Sequence, residues 1–319
     1  MKPKIIVTRK LPEFVEAKLK ENFLVSLNNQ DLSFDRQKLI KAMESADGLL
    51  CTVSDKISRE ILEASNRKVR IIANFGVGVD NIDLESARKN NIIVSNTPDV
   101  LTEATVDIAT LLLLSVTRKA YYSEMMLRLG KWKGFSLVDN LGVSLRGKTL
   151  GIIGMGRIGR SFAKRANKVF GMKVLYFNRS PVKNLEFDAS VRFDLNKLLE
   201  ESNVISLHIS SGKDNQNFLS KNRLGKIRKS SFLINTSRGD VIDQEALTVL
   251  LEKGKIAGAG LDVFSNEPNV PENLRCLANV TLLPHIGSAT VETREMMGMV
   301  ALDNLLAFFN NEEIPNRVV

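Results

Sequence analysis

The chain of 319 residues contains only two cysteines, Cys51 and Cys276. Their spacing suggests neither a disulfide framework nor a cysteine-ligated metal site. Uninterrupted apolar runs, such as residues 111–114, are only a few residues long. A membrane-spanning helix needs roughly 20 apolar residues, and no signal-peptide layout opens the chain. We therefore expect a reduced, cytoplasmic protein without a metal site or a membrane partner.

A concentrated basic segment is also lacking, although basic residues are in excess. The 45 Lys and Arg side chains outnumber the 36 Asp and Glu side chains, so the net charge is +9. These basic residues are spread along the chain, and only 6% of all residues are aromatic. No nucleic-acid-binding motif is present, so we expect no nucleic-acid partner. A diffuse positive surface instead favours small anionic ligands.

The length and the alternation of patterns predict two α/β domains. A chain of 319 residues exceeds what one core usually accommodates. In the N-terminal third, predicted strands at residues 4–8, 48–53, 69–73 and 92–95 alternate with helical patterns at residues 12–21, 35–45, 58–65 and 83–89. Such alternation is typical of a parallel sheet covered by helices. A turn cluster at residues 96–99 indicates a domain boundary.

The second half continues the same alternation. One long helix is predicted at residues 102–130, followed by about six strands, at residues 149–153, 173–177, 204–208, 232–235, 256–262 and 280–284. A last helical pattern, at residues 289–309, comes too late in the sequence to belong to that sheet. We expect it to pack on the N-terminal domain.

A G-M-G-R-I-G motif at residues 154–159 lies between a predicted strand and a predicted helix, and a second strand follows. In this strand–loop–helix–strand context, G-x-G-x-x-G indicates a dinucleotide site. Gly154 suits the tight turn, Gly156 lets the backbone approach a pyrophosphate, and Gly159 lets the helix pack closely. The N–H groups at the helix N-terminus favour the phosphates.

The end of the second strand of this unit predicts which dinucleotide binds. An NAD site places Asp or Glu there to bind the ribose 2′-hydroxyl. This chain instead has Asn178, Arg179 and Ser180. A guanidinium and a hydroxyl suit a 2′-phosphate, which a carboxylate would repel. The sequence therefore predicts NADP(H) as the preferred cofactor, with NAD(H) as the alternative.

Three further segments follow predicted strands, at residues 235–240, 262–268 and 284–288, and they supply Arg238, Glu267 and His285. Ligands of open α/β sheets bind beyond the carboxyl ends of the strands, so these side chains should lie near the glycine motif. Reduction of a 2-keto acid needs a cation for the carboxylate and carbonyl, and a general acid for the forming alkoxide. A carboxylate beside the histidine would favour its protonated form.

These segments resemble the D-isomer-specific 2-hydroxyacid dehydrogenases over essentially the whole chain. Within that family the chain looks most similar to the glyoxylate/hydroxypyruvate reductases. The segments that carry the resemblance are residues 74–83, 96–105, 151–159, 235–240, 260–268 and 283–288.

The resemblance implies an architecture and a set of roles. It implies a Rossmann-type doubly wound parallel sheet for the cofactor at residues 99–287, and a flavodoxin-like α/β substrate domain at residues 1–98 and 288–319, with the active site in the cleft between them. Arg238 would bind substrate, Glu267 would support the histidine and His285 would be the acid/base. The residues assigned to a 2-keto or 2-hydroxy acid substrate are Val77, Gly78, Arg238, His285 and Ser288.

The resemblance also assigns cofactor contacts and a homodimer. His208 is a further candidate for the cofactor. Residues 132–135 would reach a neighbouring subunit's substrate pocket, and residues 50–53 would face the cleft. Residues 210–212 depart from the Pro-Leu-Thr stretch that the family often carries there. The residues assigned to the cofactor are Gly154, Gly156, Arg157, Ile158, Gly159, Asn178, Arg179, Ser180, Ser210, Thr236, Asp262, His285 and Gly287.

Two alternatives to a keto-acid reductase remain open. The first is a dinucleotide-sensing interaction protein of the co-repressor type, which shares the fold and a similar Arg–Glu–His set. The second is an NAD-dependent dehydrogenase of the D-3-phosphoglycerate type, which Asn178 disfavours because it replaces the expected carboxylate. Turnover of keto acids separates the first alternative from an enzyme.

Overall fold

The computed structural model describes residues 2–319, which fall into two compact units. The first unit extends to Leu101 and resumes at Ser288–Val319. The second unit comprises Thr102–Gly287. The assignment of substrate to the first unit and cofactor to the second stays a prediction.

The first unit is a five-stranded parallel sheet with the strand order β2-β1-β3-β4-β5, which is the flavodoxin-like order. Its central strands β3 and β4 are buried and mostly apolar, as expected where both faces of a sheet are covered. Its elements are β1 (Lys4–Val7), α1 (Glu13–Asn22), β2 (Leu24–Ser26), α2 (Arg36–Ser45), β3 (Gly48–Thr52), α3 (Arg59–Leu62), β4 (Ile71–Phe75), α4 (Leu84–Lys89), β5 (Ile93–Ser95) and, from the C-terminal segment, α12 (Val291–Phe309).

Helix α12 packs against α1 and β4 within the first unit. A side chain at Gly298 would collide with Val15, whose nearest atom lies 2.4 Å from the position of a Cβ. The two helices therefore approach each other more closely than larger residues would permit. In the segment 50–53, the side chains of Leu50 and Cys51 are fully buried, whereas Thr52 and Val53 are partly exposed.

The second unit is a seven-stranded parallel sheet with the order β12-β11-β10-β9-β6-β7-β8. Counted from β6, this is the Rossmann order 3-2-1-4-5-6 with one additional strand. Its elements are α5 (Thr102–Thr117), α6 (Ala120–Arg128), β6 (Thr149–Ile153), α7 (Arg157–Phe170), β7 (Lys173–Phe177), β8 (Ala189–Val191), α8 (Leu195–Glu201), β9 (Val204–Leu207), α9 (Lys221–Leu224), β10 (Phe232–Asn235), α10 (Gln244–Glu252), β11 (Gly258–Leu261), α11 (Glu272–Arg275) and β12 (Val280–Leu282).

Both faces of this sheet are covered by apolar clusters. Alternate strand residues such as Leu150 and Ile152 pack with α5 and α7, whereas Ile153 packs with α8 on the other face. The predicted fold class is confirmed: two α/β units, each built on a parallel sheet. No helix within residues 2–319 is both long and apolar enough to cross a membrane.

The single long helix predicted at residues 102–130 is wrong, because the structure contains two helices there. Helix α5 ends at Thr117, and α6 begins after Lys119, whose φ of 53° is left-handed. The Thr117 hydroxyl donates to the Leu113 carbonyl at 2.7 Å, and the Thr117 carbonyl accepts from the Val143 N–H at 2.9 Å. The chain therefore turns at residues 118–119 without glycine or proline.

Candidate active site

The glycine loop connects β6 to α7 at the point where the strand order reverses. Gly154 has φ +95°, and a Cβ there would lie 2.5 Å from the His208 carbonyl oxygen. A Cβ at Gly159 would lie 2.1 Å from the Gly154 oxygen, so only glycine lets α7 begin this close to the loop. A Cβ at Gly156 would meet nothing within 4 Å. The loop is tightly packed on its inner side and open at Gly156.

Three observations fit a dinucleotide at this loop. Helix α7 starts after Gly156, and no side chain in the described part of the chain caps its N-terminus. The N–H groups of Ile158 and Gly159 therefore point toward an anion at the positive end of the helix dipole. At the end of β10, the buried Thr236 hydroxyl has no hydrogen-bond partner among residues 2–319. An uncapped helix, an open glycine and an orphaned hydroxyl suit a polar ligand.

The turn after β7 is held by the neutral side chains of Asn178 and Tyr176 rather than by an acidic side chain. The Asn178 Oδ1 accepts from the Met155 N–H at 3.3 Å, and its Nδ2 donates to the Ser180 carbonyl at 2.9 Å. The Tyr176 hydroxyl accepts from the Val182 N–H at 3.1 Å. Arg179 and Ser180 are exposed on this turn. Asn178 thus connects the glycine loop to the turn that carries the predicted 2′-phosphate ligands.

His208 packs against the glycine loop at Gly154 and Gly159. Its Nε2 lies 2.9 Å from the Ser206 hydroxyl, and its ring centroid is 5.6 Å from that of Phe162 on α7. Burial lowers the pKa of His208 to about 3, so the ring is neutral at physiological pH. Just beyond it, in the segment that departs from the family pattern, the Ser211 hydroxyl donates to the Asp240 carboxylate. Ser210 lies in the same segment and is exposed.

Glu267 and His285 form the predicted pair. The Nδ1 of His285 lies 2.7 Å from Oε2 of Glu267, whose other oxygen accepts from the Phe264 N–H at 2.9 Å. Burial would raise the pKa of Glu267, but the hydrogen bond and charge of His285, the Phe264 N–H and the charge of Arg238 together lower it. Glu267 is therefore ionised. Because Nδ1 is occupied, Nε2 is the ring nitrogen left for a ligand.

Arg238 lies on the turn that packs against the Glu267 loop. A Cβ on the next residue, Gly239, would lie 1.8 Å from the Phe264 carbonyl carbon. The two backbones are therefore in direct contact, and only glycine fits between them. The Asn235 Nδ2 donates to the Arg238 carbonyl at 2.7 Å and holds this turn. Arg238 therefore lies close enough to the Glu267 loop for its charge to help lower the pKa of Glu267. The roles predicted for Arg238, Glu267 and His285 stay predictions.

Asp262 organises the segment that carries His285. Its main-chain oxygen accepts from the His285 N–H at 2.9 Å, and its two carboxylate oxygens accept from the N–H groups of Ile286 and Gly287, each at 2.8 Å. His285 has φ 54°, a conformation that non-glycine residues seldom adopt. Burial raises the pKa of Asp262 to about 6, although the two N–H groups and His285 oppose this. The sequence assigned Asp262 to the cofactor; its carboxylate is engaged by the protein backbone.

The remaining predicted residues Val77, Gly78 and Ser288 belong to the first unit. The Val77 and Gly78 carbonyls accept from side-chain amides of Asn96 and Asn74, each at 2.8 Å. Both asparagines lie in segments that carry the family resemblance, but their side chains were given no role. No group of three or more His, Cys, Asp and Glu side chains in residues 2–319 is arranged to hold a metal ion.

The second unit matches the family model of the D-isomer-specific 2-hydroxyacid dehydrogenase NAD-binding domain over residues 110–287. A glyoxylate reductase of Thermococcus litoralis is 43% identical over the whole chain and 97% of its own length. The structure is similar to that of a Thermus thermophilus protein, with 41% identity, a TM-score of 0.91 and coverage of 99% and 100% of the two chains.

A third similar protein was solved with ligands. It is an NADPH-dependent glyoxylate/hydroxypyruvate reductase of Sinorhizobium meliloti, in complex with NADP and malonate. It is 35% identical, has a TM-score of 0.87, and the match covers 100% of this chain and 97% of the other.

Replacement of Asp262 should destabilise the second unit. Asp262→Ala leaves the N–H groups of Ile286 and Gly287 without their acceptor, which costs about 1–3 kcal/mol for each group that stays buried. Urea denaturation measures the free energy of unfolding. The matched control is Asp243→Ala, which removes one helix cap, to the Ala246 N–H, and should cost about 1 kcal/mol. A loss for Asp262→Ala no larger than that of the control would contradict this role.

Proposed function

The chain belongs to the D-isomer-specific 2-hydroxyacid dehydrogenase family, and from that premise we propose that it reduces glyoxylate and hydroxypyruvate to the corresponding 2-hydroxy acids, in the D configuration where the product is chiral. The observation that carries the proposal is the 2.7 Å contact between Glu267 and the Nδ1 of His285, beside the Arg238 turn. A cation, a proton donor and its supporting carboxylate are the groups that keto-acid reduction requires.

A bound nicotinamide dinucleotide would supply the hydride. The protein itself supplies the proton and positions the substrate. Because Glu267 holds Nδ1, the Nε2–H of His285 protonates the carbonyl oxygen as that oxygen gains the electron pair. The ionised Glu267 stabilises the protonated ring before transfer and fixes its orientation. The Arg238 guanidinium holds the substrate and polarises its carbonyl.

We assign the substrate carboxylate to the backbone N–H groups of Val77 and Gly78, with Ser288 as a further contact. The support is the arrangement of the loop, in which the carbonyls of both residues are bound by asparagine side chains. Peptide N–H groups bind carboxylates without adding a mobile charge. This assignment leaves Arg238 for the reacting carbonyl.

We assign the cofactor to the glycine loop, with NADP(H) preferred over NAD(H). The pyrophosphate would lie at the N-terminus of α7, and the 2′-phosphate would meet Arg179 and Ser180. The amide of Asn178 supports that turn, since it donates to the Ser180 carbonyl. An ionised Asp at this position could not donate that hydrogen bond and would repel the phosphate.

We further propose a homodimer. The segment after α6 exposes large apolar side chains, including Trp132 at 58%, Phe135 at 89% and Leu137 at 80%. Contiguous exposed apolar surface of this kind marks protein interfaces. Light scattering should give about twice the chain mass of 35.5 kDa, and a monomeric mass at micromolar concentration would contradict the dimer.

A panel of 2-keto acids tests the proposed activity. Glyoxylate, hydroxypyruvate, pyruvate and a bulkier 2-keto acid are each assayed with NADPH and with NADH. We expect turnover to be fastest with the two small substrates, and His285→Ala to lower kcat by roughly 10²–10⁴-fold. If none of the keto acids is turned over with either cofactor, the result would contradict the proposed activity and favour a dinucleotide-sensing protein.

The contact between Glu267 and His285 predicts the effect of removing the carboxylate. Glu267→Gln keeps the size of the side chain but removes the negative charge beside Nδ1 of His285. The variant should therefore transfer the proton more slowly, so kcat should fall while the KM for NADPH stays nearly constant. Turnover is measured with glyoxylate and saturating cofactor, with a solvent isotope effect to establish that proton transfer limits the rate. An unchanged kcat under those conditions would contradict the pairing.

The turn after β7 predicts cofactor preference. Arg179→Ala removes a charge-assisted contact to the 2′-phosphate worth about 1.5–3 kcal/mol, or about ten- to a hundredfold in affinity. The KM for NADPH should rise by that factor, while the KM for NADH stays nearly constant. Lys183→Ala is a control that removes an exposed positive charge from the same segment. Equal losses for both cofactors would make Arg179 structural.

A further inference from the structure

Three consecutive carbonyl groups of the loop after β4 are each bound from within the first unit. The Gly76 oxygen accepts from the Thr97 N–H at 3.0 Å. The Val77 oxygen accepts from the Asn96 Nδ2 at 2.8 Å, and the Gly78 oxygen from the Asn74 Nδ2 at 2.8 Å. The orientation of three successive peptide groups is thereby fixed from their carbonyl side.

Peptide planarity transfers that constraint to the N–H groups. In a trans peptide the carbonyl and the following N–H point in opposite directions, and the barrier to rotation is high. Binding the carbonyls of residues 76–78 therefore fixes the N–H groups of Val77, Gly78 and Val79. None of these three donates to an acceptor in the part of the chain that the structure describes. These three N–H groups form a series of donors whose directions are fixed before an anion binds.

A further asparagine holds each of these residues, Asn74 by its side chain and Asn96 by its backbone. Asn81 Nδ2 donates to Asn74 Oδ1 at 3.1 Å, so the Asn74 amide uses its acceptor as well as its donor. Asn304 on α12 donates through Nδ2 to the main-chain carbonyl of Asn96 at 3.0 Å, and its Oδ1 accepts from the Asn316 N–H at 3.1 Å. Asn74 and Asn304 are fully buried. Hydrogen bonds therefore fix the side chain of Asn74 and the backbone from which the Asn96 amide extends.

We infer that Asn74 and Asn96, the latter backed by Asn304, are positioning residues that preset the N–H groups of residues 77–79 for the substrate carboxylate. This inference rests on the proposed function. An amide is the group that this role needs, because it donates to a carbonyl without bringing charge to the loop. An aspartate in the same place could not donate when ionised and would repel both the Val77 oxygen and an anionic ligand.

A purely structural role would have a different signature. Loss of a buried hydrogen bond that only stabilises the fold lowers Tm and leaves the KM of a folded enzyme unchanged. Loss of a positioning bond frees the Val77–Gly78 peptide to rotate, so it raises the KM for the keto acid. Cofactor binding is assigned to the other unit and should not respond. The change in the KM for the keto acid, compared with the change in the KM for NADPH, therefore distinguishes a positioning role from a purely structural one.

The test compares Asn96→Ala and Asn96→Asp with a control in the same unit. Asn90→Ala removes an equivalent bond, from Nδ2 to the Ser86 carbonyl at 2.8 Å, on the unrelated helix α4. We expect Asn96→Ala to raise the KM for glyoxylate, and the Ki of the unreactive analogue oxalate, about three- to tenfold. Asn96→Asp should raise both further. The KM for NADPH should change by less than about twofold in all three variants. The loss of one hydrogen bond to the cofactor would change it by more than that.

The outcomes distinguish this inference from the proposed activity. Wild-type chain that turns over no keto acid contradicts the activity. Wild-type turnover with unchanged glyoxylate KM in Asn96→Ala, or equal increases in both KM values, overturns the positioning role. Should the variants fail to fold, hydrogen exchange of wild-type chain decides. Oxalate should slow exchange of the peptide containing residues 77–79, and no change there would overturn the inference.

Discussion

The carboxylate of Asp262 holds the turn on which the rest of the candidate site depends. It binds the N–H groups of Ile286 and Gly287, while its own carbonyl binds the N–H of His285. His285 is thereby kept in a left-handed conformation that its side chain disfavours. In this conformation Nδ1 lies 2.7 Å from Oε2 of Glu267. Asp262 has to be buried for this, and burial raises its pKa to about 6.

The loop described in the second unit is held by a carboxylate, whereas the loop described in the first unit is held by amides. The reason for the difference is electrostatic. In the second unit a carboxylate binds successive N–H groups, which removes those donors from any ligand. In the first unit the amides of Asn74 and Asn96 bind successive carbonyls and leave the N–H groups as donors. The choice between Asp and Asn therefore decides whether a loop is closed to an anion or open to it.

The sheets, the contact between Glu267 and His285 and the glycine loop could be predicted from the sequence because each has a local signal. Apolar runs mark buried parallel strands, and strand ends of a parallel sheet meet at one edge. It missed the short edge strands β2 and β8, which have three residues each and little buried surface. It also missed the break at Lys119, because nothing in the local sequence marks a left-handed residue there. Roles that depend on a partner distant in sequence, such as that of Asn304 toward Asn96, have no local signal.

The turn after β7 follows the same rule as the loop after β4. Asn178 accepts from Met155 in the glycine loop and donates to the Ser180 carbonyl, so a single neutral amide connects two anion-facing segments. An aspartate could still accept from Met155 but could not hold Ser180, and its charge would oppose a phosphate on the adjacent turn. Under the proposed assignment, Asn178 would act on cofactor choice in two ways, by the absence of a negative charge and by the donor that orders the turn. The proposed preference for a phosphorylated cofactor would then depend on backbone geometry as well as on the Arg179 charge.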